Sequence, residues 1–275
     1  MGQPRPVTRM TRMTRMLRGP DGPTPRERFI TLYGRMPVLS ALRDVSVVID
    51  KVVMSRRAQG EAVLEILAAA TSRGIAVERA SQERVTRLSR NGRHDQGVVA
   101  DIEAPGLEEL DAWLERQAPS SALQLIVLDG VTNPANVGMI VRTATAAGLD
   151  GVVLPRAGSP DVGPLLIKAS AGVALRAAIL RTATASSAVD ALSAAGFELH
   201  GLRGNEAITV WDTDFGERVA LVLGNETDGI SAQVASRLAS WVAIPLANNV
   251  ESLNVAAAAA VVGYELSRRR TSTAS

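Results

Sequence analysis

The chain contains no cysteine and only two lysines, Lys51 and Lys168, in 275 residues. Without cysteine there is no disulfide framework, no thiolate zinc site and no cysteine nucleophile. Nucleic-acid methylation through a cysteine adduct on a base is thereby excluded, and a cysteine-free chain suits a reducing cytoplasm. The longest apolar stretches, such as Val255–Val262, fall far short of the roughly 20 residues that span a bilayer, so no membrane partner is expected. No Gly-x-Gly-x-x-Gly or Gly-x-x-x-x-Gly-Lys follows a predicted strand, which speaks against a nucleotide-dependent oxidoreductase. No His/Asp/Glu cluster marks a metal site.

The net charge of +2 conceals an asymmetry. Residues 1–28 hold seven Arg against Asp21 and Glu27, a balance of +5. Residues 29–101 hold 11 basic against 8 acidic side chains, and residues 102–275 hold 12 against 18. An anionic polymer is therefore attracted mainly to the front of the molecule.

Residues 1–27 carry a Thr-Arg-Met triplet repeated over 8–16 and then Gly19-Pro20, Gly22-Pro23 and Pro25. Nothing there can bury a face, so a disordered basic arm is expected. It is either a loose RNA-grasping arm or a stretch contributed by a vector or an upstream start codon. Residues 28–102 then alternate as a small α/β unit: helices at 36–43, 59–73 and 82–89, strands at 45–54, 75–78 and 98–101. Residues 103–120 read as a linker with one amphipathic turn around Trp113. Residues 121–270 alternate again, with strands expected at 123–128, 151–154, 197–201, 219–223 and 241–244. Helices are expected at 136–147, 163–171, 185–195 and 253–267, leaving 271–275 as a tail. Strands alternating with helices predict a mostly parallel sheet covered on both faces, whose ligands bind beyond the carboxyl ends of strands.

Three polar segments sit at such ends. The first, Asp129-Gly130-Val131-Thr132-Asn133-Pro134-Ala135-Asn136, leads into a helix bearing Arg142. Arg142 is either snorkelling to solvent or aimed at an anion, and Asn133 and Asn136 are candidate caps. The second, Leu223-Gly224-Asn225-Glu226-Thr227-Asp228-Gly229, is either an ordinary turn or a place where glycine lets backbone approach a ligand. The third runs from Ile244-Pro245-Leu246 to Ser252-Leu253-Asn254, where Ser252 is a candidate N-cap. Ala256–Ala260 is a run of small residues that permits close helix packing.

In this order the three segments resemble the signature motifs of the SpoU/TrmH-type RNA ribose methyltransferases, within the SPOUT trefoil-knot superfamily. Tyr33-Gly34-Arg35 and His94-Asp95-Gln96-Gly97-Val98 resemble the start and end of the ribosomal-protein-L30-like RNA-binding domain that many members carry in front. The resemblance implies a deep trefoil knot, S-adenosylmethionine as methyl donor without metal, and a homodimer formed through the C-terminal domain. Arg142, Asn136, Glu226, Ser252 and Asn254 match catalytic positions. Leu223, Gly224, Asn225, Ile244, Leu246 and Leu253 match cofactor-binding positions, and Arg35, Arg93 and Asn133 are expected to contact RNA. An arginine is a poor base, because its pKa exceeds about 12; binding the target phosphate and stabilising developing alkoxide charge is the physically sounder role. Asn248 stands where most relatives have glycine, and Leu246 where many have methionine.

The two-domain layout resembles the rRNA-directed branch more than the single-domain tRNA branch, so 23S rRNA is the expected substrate. The alternatives are a tRNA ribose methyltransferase, an antibiotic-resistance rRNA methyltransferase, and a non-catalytic ribosome-assembly factor. The last predicts loss of Arg142, Asn136 or Glu226, and all three are present.

Overall fold

The computed structural model describes residues 29–45, 47–103, 107–204 and 206–273. The basic arm expected at 1–27 lies outside them. The first unit comprises β1 (Phe29–Tyr33), α1 (Arg35–Arg43), β2 (Ile49–Ser55), α2 (Glu61–Ser72), β3 (Val77–Ala80), α3 (Gln82–Ser89) and β4 (Val98–Glu103). Its sheet runs β1-β4-β2-β3, antiparallel except for the β2/β3 pair. The strand β1 was not expected. Its pattern is half-buried, with Ile30 and Leu32 on the core side and Phe29, Thr31 and Tyr33 partly exposed.

The second unit comprises β5 (Leu107–Glu109), α4 (Leu110–Glu115), β6 (Leu123–Asp129), α5 (Pro134–Ala146), β7 (Gly151–Pro155) and α6 (Pro164–Ala169). It continues through β8 (Ile179–Thr182), α7 (Ala185–Ala194), β9 (Glu198–Leu202), β10 (Arg218–Gly224), α8 (Ala232–Ala235), β11 (Ser240–Val242) and α9 (Val255–Thr273). The sheet order is β11-β9-β10-β6-β7-β8-β5, and every pair is parallel.

Three differences from the expected layout stand out. The segment read as a linker supplies β5, which pairs with β8 at the sheet edge, while the amphipathic turn expected around Trp113 is α4, with Trp113 buried. The strand β8 itself was unforeseen: it is four residues long and ends on Arg181 and Thr182, which masks its apolar character. The tail expected from 271 is partly helical, because α9 runs to Thr273.

Period-2 alternation sorts the central strands onto two cores. On β6 and β10, Ile126, Leu128, Val219, Leu221 and Leu223 face α5 and α9, with Val137, Ile140, Val141, Ala259 and Val262 packed against them. Leu125, Val127, Ala220 and Val222 face the other way, onto Ala188, Val189 and Leu192 of α7 and onto Trp113. Helices therefore cover both faces. Gly138 sets how closely α6 lies on α5: a Cβ there would stand 2.4 Å from the Leu166 carbonyl oxygen.

Candidate functional site

Because all seven strands are parallel, their carboxyl ends lie along one edge of the sheet. The neighbours β11, β9, β10 and β6 deliver four loops to that edge. Three are the polar segments singled out in the sequence; the fourth, Leu202-Arg203-Gly204 after β9, was not. It could have been found, since the strand expected at 197–201 ends there and ligands gather at such ends.

The loop after β10 is held by its own backbone. Asn225 and Gly229 exchange backbone hydrogen bonds of 3.2 and 3.1 Å, and the Asn225 Oδ1 accepts from the Thr227 and Asp228 amides at 2.8 and 2.7 Å. The closure leaves no room at Gly224, where a Cβ would lie 2.1 Å from the carbonyl carbon of Gly229. Ser231 donates its amide to Asp129 Oδ2 at 2.7 Å, tying this loop to the end of β6.

Asn133 caps α5 by accepting the Ala135 amide at 2.9 Å, with Pro134 in the first turn. Asn136, buried within α5, does something else. Its Nδ2 donates to Glu226 Oε1 at 2.6 Å, and its Oδ1 accepts from Asn254 Nδ2 at 3.2 Å. A single side chain thus joins one member of each of the three segments. Asn254 also caps α9, accepting the Ala256 amide at 3.0 Å. Ser252 is exposed and is not the cap, contrary to expectation, because α9 begins three residues further on. Asn248 and Asn249 both adopt φ near 57°, the left-handed conformation that asparagine tolerates better than other non-glycine residues. Asparagine in place of glycine at 248 is thus compatible with the bend.

A cleft of about 410 Å³ opens beside these loops. Its lining includes Leu223, Gly224, Asn225, Glu226, Ile244, Leu246, Ser252 and Leu253, together with Leu202, Arg203, Trp241 and Glu251. All six expected cofactor positions therefore meet in one place. The volume falls within the range of small-molecule sites, about 300–1,000 Å³. Leu202, Ile244, Leu246 and Leu253 offer an apolar surface to a flat base, while loop backbone offers hydrogen bonds. Glu226, Asp228 and Glu251 outnumber Arg203 on the lining, a balance that suits a cationic sulfonium. Arg203 is turned aside, stacked 4.2 Å over the Trp241 ring and ion-paired with Glu206. These residues fit S-adenosylmethionine.

Arg142 is not on that lining. Six residues on from Asn136 it stands about 120° around the helix, exposed, with no hydrogen bond or ion pair among the described residues. Arg35 and Arg93 lie in the first unit, where both line a separate recess of about 630 Å³. Among the described residues no group of three His, Cys, Asp or Glu could hold a metal ion, and no helix is long and apolar enough to cross a membrane.

Residues 124–264 match the SpoU rRNA Methylase family, and residues 31–107 match the RNA 2'-O ribose methyltransferase substrate-binding domain. A putative TrmH family tRNA/rRNA methyltransferase of Staphylococcus aureus (strain MSSA476) is 30% identical over 223 residues, covering 81% of this chain and 89% of that one. The SpoU methyltransferase AviRb of Streptomyces viridochromogenes, solved with AdoMet, superimposes with a TM-score of 0.65 at 25% identity over 90% and 92% of the two chains. The AdoMet-bound rRNA methyltransferase of Sinorhizobium meliloti gives 0.61 at 26% identity over 89% and 88%. The knotted α/β fold expected from the motifs is in keeping with these neighbours. With two family matches falling on the two structural units, and the three motifs converging on one cleft, the chain belongs to the SpoU family of RNA 2'-O-ribose methyltransferases.

Proposed function

We propose that this enzyme transfers the methyl group of S-adenosylmethionine to a ribose 2'-hydroxyl of ribosomal RNA, acting as a homodimer in the reducing cytoplasm. The observation that carries the reading is the Glu226–Asn136–Asn254 chain of hydrogen bonds, whose Glu226 lines the cleft. Bound S-adenosylmethionine supplies an electrophilic methyl on a sulfonium, so the protein's task is alignment and electrostatics. Asn136 is locked at both ends of its amide, which fixes the relative positions of the Glu226 loop and the start of α9. The apolar side chains of Leu202, Ile244, Leu246 and Leu253 exclude water from one wall. Arg142 supplies positive charge for the oxygen that loses its proton.

Support for the dimer comes from α5. Exposed Met139 lies one turn before Arg142 on the same side of the helix, and Leu165 on α6 and Tyr264 on α9 are exposed apolar residues of helices packed against α5. A second copy covering this side of α5 would bury Met139 and would remove Arg142 from bulk solvent. The L30-like front favours rRNA, although the Staphylococcus relative is named for tRNA and rRNA alike. The test is to incubate purified protein with S-adenosylmethionine and separate rRNA and tRNA fractions, then map ribose methylation by mass spectrometry. A new 2'-O-methyl site in rRNA supports the reading. One in tRNA alone replaces the substrate, and none in either removes the activity.

A further inference from the structure

A recess of about 630 Å³ in the first unit is lined in part by the two segments that resemble the start and end of an L30-like domain. The Gly34 amide donates to the Val98 carbonyl at 3.0 Å, so Tyr33–Arg35 and His94–Val98 meet edge to edge. Gln96, held at φ 49° beside Gly97 at φ 75°, accepts the Arg35 amide on its side-chain oxygen at 3.0 Å. It also accepts the Arg35 Nε on its backbone carbonyl at 3.3 Å. This fixes one edge of the Arg35 guanidinium and leaves its remaining N–H groups for something else.

Asp95 explains why the loop holds that shape. It is buried, and its carboxylate is used up inside the protein: it accepts from Gln82 Nε2, the Gly97 amide, Thr86 Oγ1 and Ser89 Oγ, all between 2.8 and 3.2 Å. The carboxylate therefore organises the rim and forms no ion pair with the arginines around it. Arg35, Arg57 and Arg93 line the recess, and none has an ion-pair partner among the described residues. Exposed Met36, with Ala58 and Ala62, adds apolar surface to the same lining.

We propose that this recess binds one unpaired nucleotide of the RNA substrate, its phosphate on Arg35, Arg57 and Arg93 and its base against Met36, Ala58 and Ala62. The inference rests on the RNA-methyltransferase reading and adds where, and in what form, the RNA is read. A lining that combines cationic and apolar side chains matches a nucleotide, which is anionic at one end and flat and weakly polar at the other. Stacked bases of a helix are not available to a concave site, whereas loop and bulge bases are. Planar guanidinium groups suit phosphate oxygens through paired N–H donors.

The test uses full-length protein and two labelled RNAs with the same number of phosphates, a hairpin with an unpaired loop and a blunt duplex. Their affinities are measured by fluorescence anisotropy over a salt series. Arg57→Ala and Arg93→Ala, both at side chains without partners, should each weaken hairpin binding by roughly tenfold and lower its salt slope by about one. Duplex affinity should stay within about twofold, and S-adenosylmethionine affinity, read by calorimetry on the same samples, should not move. Met36→Ala should weaken hairpin binding with its salt slope unchanged. Equal losses on hairpin and duplex would show a general cationic surface and overturn the proposal, as would no loss on the hairpin. Failure of the RNA reading itself registers separately, as wild-type protein that takes up S-adenosylmethionine but binds neither RNA, and it removes the recess proposal too.

Discussion

Asn136 donates its side-chain amide to Glu226 Oε1 across 2.6 Å, joining residues 90 apart in sequence. The same side chain accepts from Asn254 at 3.2 Å, 118 residues further on. A buried amide with both ends committed is costly to remove, since each partner is left with an unmet hydrogen bond. Asn136→Ala is expected to lower stability by about 1–3 kcal/mol, measured by denaturant titration, and to abolish methyl transfer. Asn136→Asp should be at least as damaging to activity, because it sets a carboxylate against Glu226. Full activity in either variant would reduce the three-residue chain to a packing detail.

Arg142 tests the opposite situation. Exposed and unpartnered among the described residues, it contributes little to the fold, so Arg142→Ala should leave stability within about 0.5 kcal/mol of wild type. S-adenosylmethionine affinity by calorimetry should be unchanged, since the residue is absent from the cleft lining. The methyl-transfer rate should fall by about 10²–10³. A rate within a few-fold of wild type would leave Arg142 as a surface charge.

Gly224 is constrained by space. A Cβ there would lie 2.1 Å from backbone of Gly229, which cannot swing aside as a side-chain tip can. Gly224→Ala should open the Asn225–Gly229 loop, destabilise the protein by about 1–3 kcal/mol and weaken S-adenosylmethionine binding. Unchanged calorimetric affinity would mean that the loop shape is irrelevant to the cleft.

The cofactor loops were legible in the sequence because they combine glycine, asparagine and serine at the ends of strongly apolar strands, and Leu223, Gly224, Ile244 and Leu253 do meet. What the sequence hid has three physical sources. The strand β5 lies in a segment whose charges, Glu108 and Glu109, mimic a linker; both pair with arginines, Arg116 and Arg156, at the sheet edge. Ser252 looked like a cap by residue type, yet Asn254 takes that role because the helix begins at Val255, and the Asn254 side chain also reaches Asn136. The Arg203–Trp241 pair joins the loop after β9 to β11 through a parallel neighbour relation that no local pattern encodes.

Asn248 offers a test of backbone tolerance. With φ at 57° beside Asn249 at 57°, its backbone sits where a β-branched side chain meets a penalty of about 1–2 kcal/mol. Asn248→Gly should keep cofactor affinity within about twofold, whereas Asn248→Val should lower it by roughly tenfold. If valine were accepted as readily as glycine, the bend would not shape the cleft.

Glu265 gives the enzyme an acid-sensitive tie between α9 and the loop that follows β9. It pairs with Arg268 and Arg269, and Arg269 in turn donates to the carbonyls of Val210, Trp211 and Thr213. The hydrogen bond from Arg268, with that from Arg269, holds the Glu265 carboxyl below its usual 4.5 in spite of its burial. A folded-state pKa below the unfolded one stabilises the protein fully above about pH 4.5 and loses that contribution as pH falls through the folded value. Wild type should therefore exceed Glu265→Gln in stability near neutral pH, and the two should converge as the solution is acidified below about 4.5. Denaturant midpoints of both proteins across that range provide the measurement. A gap that stays constant into acid would mean that Glu265 acts through its shape and hydrogen bonds, with its charge contributing nothing to the tie.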